Sequence, residues 1–213
     1  MALPKIEPYD LPIEASLPKA RAPFVPERHR LALLVHDMQN YFLAAYGDDN
    51  PTLNTVIANI AALVAACRAH DIPVLYTAQN GNQDRRDRGL QAELWGPGMR
   101  TDPAHQAITP ALVPTENDIV LVKHRYSAFQ RSNLADLLRV RGRDQLMVTG
   151  VYAHIGCLST IGEAFQRDIE PFLAADASAD FSRERHDMAV DWVAACSGVP
   201  LSTRQLLAAI KEG

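Results

Sequence analysis

The sequence predicts a three-layer α/β/α fold, in which helices cover both faces of a six-stranded, mostly parallel, Rossmann-like sheet. Short apolar runs alternate with segments whose apolar residues recur at helical spacing, which is the pattern of strand–helix–strand units. Several of these apolar runs are continuous, as expected for strands buried on both faces of a parallel sheet. Because no repeat, low-complexity tract or linker interrupts the alternation, we expect one domain.

The predicted elements follow in a regular order. Residues 1–28 are rich in proline and lack periodicity, so we expect an extended N-terminal arm that lies over a domain of residues 29–213. The predicted strands are 31–35, 72–77, 118–122, 145–149, 171–175 and 199–202. Helices are predicted from Pro51 to about Cys67, over 134–140, 156–168 and 183–195, and after the last strand.

The segment from Gln79 to about Pro103 departs from this pattern. It contains glycines, many charges and Trp95, and it is too long for a simple connection. We therefore predict a functional loop or lid.

Composition excludes several functional classes. The net charge of −4 and the lack of a basic stripe argue against nucleic acid or anionic membrane as the main partner. No uninterrupted apolar run approaches the roughly 20 residues of a membrane span, and the N-terminus does not resemble a signal peptide. Cys67, Cys157 and Cys196 are widely spaced, which favours reduced thiols in the cytoplasm.

The histidines are scattered and lack the spacing of a metal site. None of His36, His124, His154 and His186 belongs to an HxxH or HExxH motif, so we interpret them as structural or site-lining residues. No nucleotide-binding fingerprint is present either. We expect neither a metal nor a cofactor.

Asp37 is the strongest candidate for chemistry. It follows the first predicted strand with only His36 between them, and the carboxyl edge of a parallel sheet is where ligands bind. It could simply cap a turn, or it could be a general acid or base whose pKa is raised by apolar neighbours such as Phe42 and Trp95. Lys123 occupies the equivalent place after the third strand, where it could cover the sheet edge or orient a substrate. Together they indicate a site for an anionic, cyclic small molecule.

Cys157 suggests a different chemistry. Asp, Lys and Cys form the triad of a family of cysteine amidases, whose nucleophile lies at a helix N-terminus. That would make the protein a nicotinamidase-like hydrolase. However, Cys157 shares a predicted helical face with Ile161, Ala164 and Phe165, and a small buried thiol is common. A binding protein without catalysis is a third alternative.

Six motifs run in order along nearly the whole chain, at residues 33–39, 76–79, 94–98, 125–129, 150–157 and 179–182. With these motifs the chain resembles the isochorismatases, a branch of the cysteine hydrolase superfamily. The resemblance places the amidase nucleophile position on Gly156 and makes Cys157 a core residue. The histidines that bind zinc in nicotinamidases would follow the second strand, where residues 79–82 offer none.

The resemblance implies hydrolysis of the vinyl ether of isochorismate to 2,3-dihydro-2,3-dihydroxybenzoate and pyruvate, in siderophore or related aromatic metabolism. Asp37 would protonate the methylene carbon and Lys123 would hydrogen-bond Asp37 or the substrate. The remaining implied ligand-binding groups are Gln79, Arg88, Tyr126, Tyr152 and the Gly156 amide, with Phe42 and Trp95 as walls. A close alternative substrate is 2-amino-2-deoxyisochorismate, as in phenazine pathways.

Two departures from the family pattern concern the pocket rim and the partners. His124 stands where the family usually has tryptophan, which we expect to change a packing or rim contact. Siderophore-pathway members often continue into an aryl carrier domain, so we expect any carrier function here to reside in a separate protein. As is common in the family, we expect a homodimer, with the apolar C-terminal helices as a candidate interface.

Overall fold

The computed structural model describes residues 4–212 and contains a six-stranded sheet in the order β3-β2-β1-β4-β5-β6. Every strand pair in the sheet is parallel, which confirms the predicted fold class. The strands are β1 Leu31–His36, β2 Val74–Ala78, β3 Ile119–Val122, β4 Gln145–Val151, β5 Glu170–Ala179 and β6 Val199–Leu201.

Four longer helices and several short ones connect the strands. The helices are α1 Asn40–Leu43, α2 Pro51–Ala69, α3 Arg85–Arg88, α4 Gln91–Trp95, α5 Pro103–Gln106, α6 Leu134–Val140, α7 Leu158–Gln166, α8 Arg183–Cys196 and α9 Thr203–Glu212. A π-helical turn, Ala153–Cys157, precedes α7, so the predicted helix from Gly156 starts within this turn. The predicted loop after Gln79 folds into α3 and α4.

The alternation of side chains along β1 builds two cores. Leu31, Leu33 and Val35 face α2 and α9, whereas Ala32 and Leu34 face α6, α7 and α8. All six residues of β1 and all seven of β4 are buried. These two strands are neighbours, and the strand order reverses between them, so their carboxyl ends open a crevice at the topological switch point.

Helix α2 is the longest helix in residues 4–212 and is rich in apolar residues. Within residues 4–212 it is the one helix whose length and composition would allow it to cross a bilayer. Its apolar side nevertheless packs in the core, through Leu53, Val56, Ile60, Leu63, Val64 and Cys67. Asn54, Thr55 and Arg68 are exposed on the other side of the helix, so α2 is a core helix.

The N-terminal segment from residue 4 contains one short turn, Glu14–Ser16, and otherwise extended backbone. Ile6 is buried, and its N–H donates to the carbonyl of Ala45 at 2.8 Å. The Tyr9 hydroxyl accepts a hydrogen bond from the backbone N–H of Asp180 at 2.7 Å. The segment is thus anchored to the body of the molecule at its start; residues 1–3 of the predicted arm lie outside the described residues.

Candidate active site

A partly open cavity of about 650 Å³ lies at the carboxyl ends of β1, β2 and β4. All nine site residues predicted from the sequence line it: Asp37, Phe42, Gln79, Arg88, Trp95, Lys123, Tyr126, Tyr152 and Gly156. The sheet supplies the acid, and the segment after Gln79 supplies Arg88 and Trp95.

Asp37 is held in place by both its backbone and its carboxylate. Its φ angle of +50° is in the left-handed region, which non-glycine residues rarely adopt. Its N–H donates to the Thr77 hydroxyl at 3.0 Å, and that hydroxyl donates to Asp37 Oδ1 at 2.6 Å. Strained backbone supported in this way is typical of functional sites.

The other carboxylate oxygen faces a cation. Lys123 Nζ lies 2.8 Å from Asp37 Oδ2, and Gln79 Nε2 donates to the same oxygen at 3.3 Å. Lys123 and Asp37 are both buried, with side chains 3% and 6% exposed. The pair therefore forms a desolvated ion pair on the wall of the cavity.

The predicted direction of the Asp37 pKa is wrong. Burial penalises the carboxylate and would raise its pKa, but the Lys123 ammonium and the donor hydrogen bonds outweigh that penalty, so the pKa lies below its ordinary value. Phe42 and Trp95 do line the cavity, as expected, yet Lys123 decides the charge. In the free site Asp37 is ionised.

His36, which precedes Asp37, is fully buried and packs against Gly156. Its Nδ1 lies 2.9 Å from the Val151 carbonyl and its Nε2 3.3 Å from the Tyr126 carbonyl. Burial lowers the pKa of the imidazole, so His36 is neutral and one of its nitrogens carries the donated proton.

The amidase alternative fails on geometry at two positions. A β-carbon on Gly156 would lie 2.1 Å from His36 Cε1, so this position has no room for a nucleophilic side chain. Cys157 is fully buried in the core on the α7 side of the sheet, and its Sγ lies 3.8 Å from the Thr149 carbonyl. Burial raises the pKa of the Cys157 thiol well above its ordinary value, which disfavours the thiolate.

Arg88 presents a buried positive charge to the cavity. Its Nε donates to the Gly96 carbonyl at 2.6 Å, and a β-carbon on Gly98 would lie 2.4 Å from its Nη1. Burial lowers the pKa of its guanidinium, and within residues 4–212 no carboxylate pairs with it. A guanidinium in this position is a ready ligand for a carboxylate.

Aromatic side chains form part of the cavity wall. Trp95 Nε1 donates to the Tyr126 hydroxyl at 2.7 Å, and the Tyr152 hydroxyl donates to the Phe42 carbonyl at 2.7 Å. The Tyr152 and Phe181 ring centroids are 4.2 Å apart. The hydroxyl proton of Tyr126 is therefore free to bind an anion, whereas Tyr152 offers mainly its ring.

The cavity also contains His36, which was interpreted as structural or site-lining, and seven residues that were not predicted at the site: Tyr41, Gln91, Gly98, Met99, Val151, Ile155 and Phe181. Thr77 was missed as well, although it supports Asp37 directly. Gly98 and Phe181 belong to motifs already recognised in the sequence, and Thr77 shares the motif of Gln79. The predicted departure, His124, does not line the cavity.

Three observations bear on possible cofactors. Residues 4–212 contain no group of three or more His, Cys, Asp or Glu side chains arranged to hold a metal ion. His154 instead pairs with the buried Asp180, Nδ1 to Oδ1 at 2.6 Å. His186 lies 3.1 Å from the Tyr9 hydroxyl.

Comparison with known proteins agrees with this geometry. The family model for the isochorismatase domain matches residues 31–205. The chain is 49% identical to enterobactin synthase component B of Escherichia coli (strain K12), over 98% of this chain and 73% of that protein. It is 45% identical to the isochorismatase of Bacillus subtilis, over 97% and 66%, respectively.

Two further similarities extend the comparison. The phenazine biosynthesis protein PhzD of Pseudomonas fluorescens is 42% identical, with coverage of 96% of this chain and 98% of that protein. A cysteine hydrolase structure from Pseudomonas syringae pv. phaseolicola has a TM-score of 0.80 at 24% identity, covering 92% of this chain and 99% of that one, and it supports the fold.

The parallel sheet and the enclosed acid–cation pair at its carboxyl edge define an α/β enzyme that acts on a small molecule. The class of enzyme is narrowed by the match of the isochorismatase domain model and by the relatives at 42–49% identity. The chain belongs to the isochorismatase family.

Proposed function

We propose that this enzyme hydrolyses the vinyl ether of isochorismate to 2,3-dihydro-2,3-dihydroxybenzoate and pyruvate, by general acid catalysis at Asp37. The observation that carries the proposal is the buried Asp37–Lys123 pair in a cavity that also holds an unpaired Arg88 and a glycine in place of a nucleophile. Relatives named as an isochorismatase and as an enterobactin synthase component support it.

The substrate's two carboxylates find complementary groups in this cavity. Arg88 binds one carboxylate through its free guanidinium N–H groups, and the Tyr126 hydroxyl donates to the same anion. We assign the Gly156 amide and Gln79 to the carboxylate and ether oxygen of the enolpyruvyl group. Phe42, Trp95 and Tyr152 enclose the ring and exclude water.

The proton for catalysis starts on Lys123. Transfer along the 2.8 Å contact breaks a Lys123 N–H bond and forms Asp37 Oδ2–H, which converts an ion pair into two neutral groups. Expulsion of water by the substrate favours this neutral pair, because the charged pair loses more solvation. Asp37 therefore becomes a neutral acid once the substrate is bound, although it is ionised in the free site.

Hydrolysis then proceeds without a covalent link to the protein. Asp37 gives its proton to the terminal methylene carbon, which produces an oxocarbenium ion and restores the carboxylate. Water adds to the oxocarbenium carbon, and the hemiketal collapses to pyruvate and the ring hydroxyl. One water is consumed, and the proton that it loses returns to the Asp37–Lys123 pair.

Pyruvate release from isochorismate, coupled to lactate dehydrogenase, tests this proposal. We expect Asp37→Asn to lower kcat by roughly 1,000-fold or more, because the amide cannot donate a proton to carbon. Asp118→Asn is the matched control, since Asp118 is also a buried partner of a cation, 2.5 Å from Arg68, but lies away from the cavity. Absence of pyruvate release by the native enzyme would overturn the proposal.

A second candidate substrate is 2-amino-2-deoxyisochorismate. The similarity to the phenazine biosynthesis protein PhzD favours it, and the enolpyruvyl group and both carboxylates are the same. The same assay run with each substrate decides between them through the ratio of kcat/KM values.

We further propose a cytoplasmic homodimer. The buried, reduced thiols of Cys67 and Cys157 support a reducing compartment, and exposed Met188 and Trp192 on α8 offer an apolar contact. Light scattering on the purified protein tests the dimer: a monomeric mass at micromolar concentration would refute it. A separate aryl carrier protein stays a prediction.

A further inference from the structure

Thr77 lies beside the candidate acid but outside the cavity. It is buried near the carboxyl end of β2, which pairs with β1 in a register that sets Tyr76 opposite Val35. Its hydroxyl therefore reaches Asp37 at the end of the neighbouring strand, whereas its side chain is not part of the cavity wall. Any effect of Thr77 on a bound ligand must pass through Asp37.

The direction of the Thr77 hydrogen bonds is fixed by chemistry. The backbone N–H of Asp37 can only donate, so Thr77 Oγ1 accepts from it at 3.0 Å. The single hydroxyl proton then points to Asp37 Oδ1, 2.6 Å away. An ionised carboxylate can only accept. When Asp37 is neutral, Oδ1 stays the acceptor because residues 4–212 place no other acceptor within hydrogen-bond distance of the Thr77 hydroxyl proton.

A proton on the Asp37 carboxyl group is consequently directed to Oδ2. That oxygen contacts Lys123 Nζ at 2.8 Å and Gln79 Nε2 at 3.3 Å, and both of those residues line the cavity. The oxygen that receives the proton from Lys123 is therefore the one on the ligand side of the carboxyl group.

We propose that Thr77 is a positioning residue that holds the Asp37 carboxyl plane and confines the transferable proton to Oδ2. This inference rests on the proposed function, since it assumes that Asp37 protonates carbon. The two oxygens of the Asp37 carboxyl group then have different roles. Oδ1 binds the Thr77 hydroxyl on β2, and Oδ2 exchanges the proton.

The test compares Thr77→Val, which keeps the shape but removes the hydroxyl, with Thr77→Ser, which keeps the hydroxyl. We expect Thr77→Val to lower kcat by roughly 10- to 100-fold with KM changed by less than about threefold, as for loss of a hydrogen bond to a reacting group. We expect Thr77→Ser to recover most of the native kcat.

The pH profile gives a readout that packing damage does not change. The titratable groups around Asp37 are His36 on β1, Lys123 after β3, and Tyr152 and Cys157 after β4. The Thr77 hydrogen bond stabilises the Asp37 carboxylate, so its loss raises the pKa of Asp37. The apparent pKa that the kcat/KM profile reports for the Asp37–Lys123 pair should rise in Thr77→Val and stay native in Thr77→Ser.

Thr149→Val is the matched control, because Thr149 is equally buried and its hydroxyl donates to the Leu34 carbonyl at 3.0 Å without touching Asp37. Its melting temperature should fall as in Thr77→Val while the apparent pKa of the Asp37–Lys123 pair stays native. Native kcat and an unchanged apparent pKa of the pair in Thr77→Val would overturn the inference. Failure of the native enzyme to release pyruvate would instead overturn the proposed function.

Discussion

Replacement of Gly156 by alanine tests whether the site has room for a side chain at this position, as a nucleophile would require. The added β-carbon would lie 2.1 Å from His36 Cε1, 2.8 Å from Nε2 and 3.0 Å from Nδ1. Carbon atoms in contact are normally about 3.5–4.0 Å apart, so the ring or the π-helical turn must move by more than about 1 Å. The ring is fully buried, and a carbonyl oxygen faces each of its nitrogens, one of which donates a hydrogen bond, so the ring has little freedom to move.

The loss of folding stability in Gly156→Ala follows from these contacts. Overpacking of a core costs about 1–3 kcal/mol, and disturbing a buried hydrogen bond adds about 1–2 kcal/mol. For a chain of this length, about 3 kcal/mol corresponds to a fall in melting temperature of roughly 6–12 °C. Because His36 adjoins Asp37, kcat for pyruvate release should also fall.

Scanning calorimetry and the coupled pyruvate assay measure both effects. Gly162→Ala is the control, since Gly162 is also helical but its β-carbon would lie 3.2 Å from the edge of Trp192, and alanine favours helix. We expect its melting temperature to be unchanged or slightly raised. If Gly156→Ala were as stable and as active as Gly162→Ala, the steric reasoning would be refuted.

The remaining predictions concern anion binding and acid stability. Arg88→Gln should raise KM for a dicarboxylate by roughly 10- to 100-fold. Arg86 lies on the same short helix but is exposed, so Arg86→Gln should leave KM unchanged. Equal KM values for the two variants would refute the assignment of Arg88. Burial lowers the pKa of His186 to about 4, so the unfolded chain binds the extra proton first and stability falls as pH drops from about 6.5 toward 4. Between pH 7 and 5 the free energy of unfolding should fall by about 2 kcal/mol, which urea titration measures. The fall should be smaller in His186→Gln, and an equal fall in both proteins would contradict this assignment to His186.

Most of the architecture follows from local pattern. Continuous apolar runs identified five strands closely, and the predicted helices appear in order, because both depend on nearby residues. The long β5 was underestimated: its last residues, up to Ala179, pair with β4 across an irregular register, which depends on a distant segment. Likewise, the sequence shows that α2 is apolar but not which partner covers it.

The candidate site was located well but its electrostatics were not. Asp37 and Lys123 each end an apolar run, and parallel pairing makes such ends converge. The 2.8 Å contact between them depends on side-chain placement across β2, so the lowered pKa of Asp37 could not be read from the order of residues. The contact between His36 and Gly156 could not be predicted from the sequence either, because 120 positions separate the two residues.

The cavity draws its proton donor and its anion ligand from different kinds of structure. Asp37 directly follows the central strand β1, whereas Arg88 and Trp95 belong to short helices that lie outside the sheet. Changes in those helices can therefore alter which carboxylated ring is admitted while the strand ends keep the same reaction. A family built in this way can diversify its substrates without redesigning its chemistry.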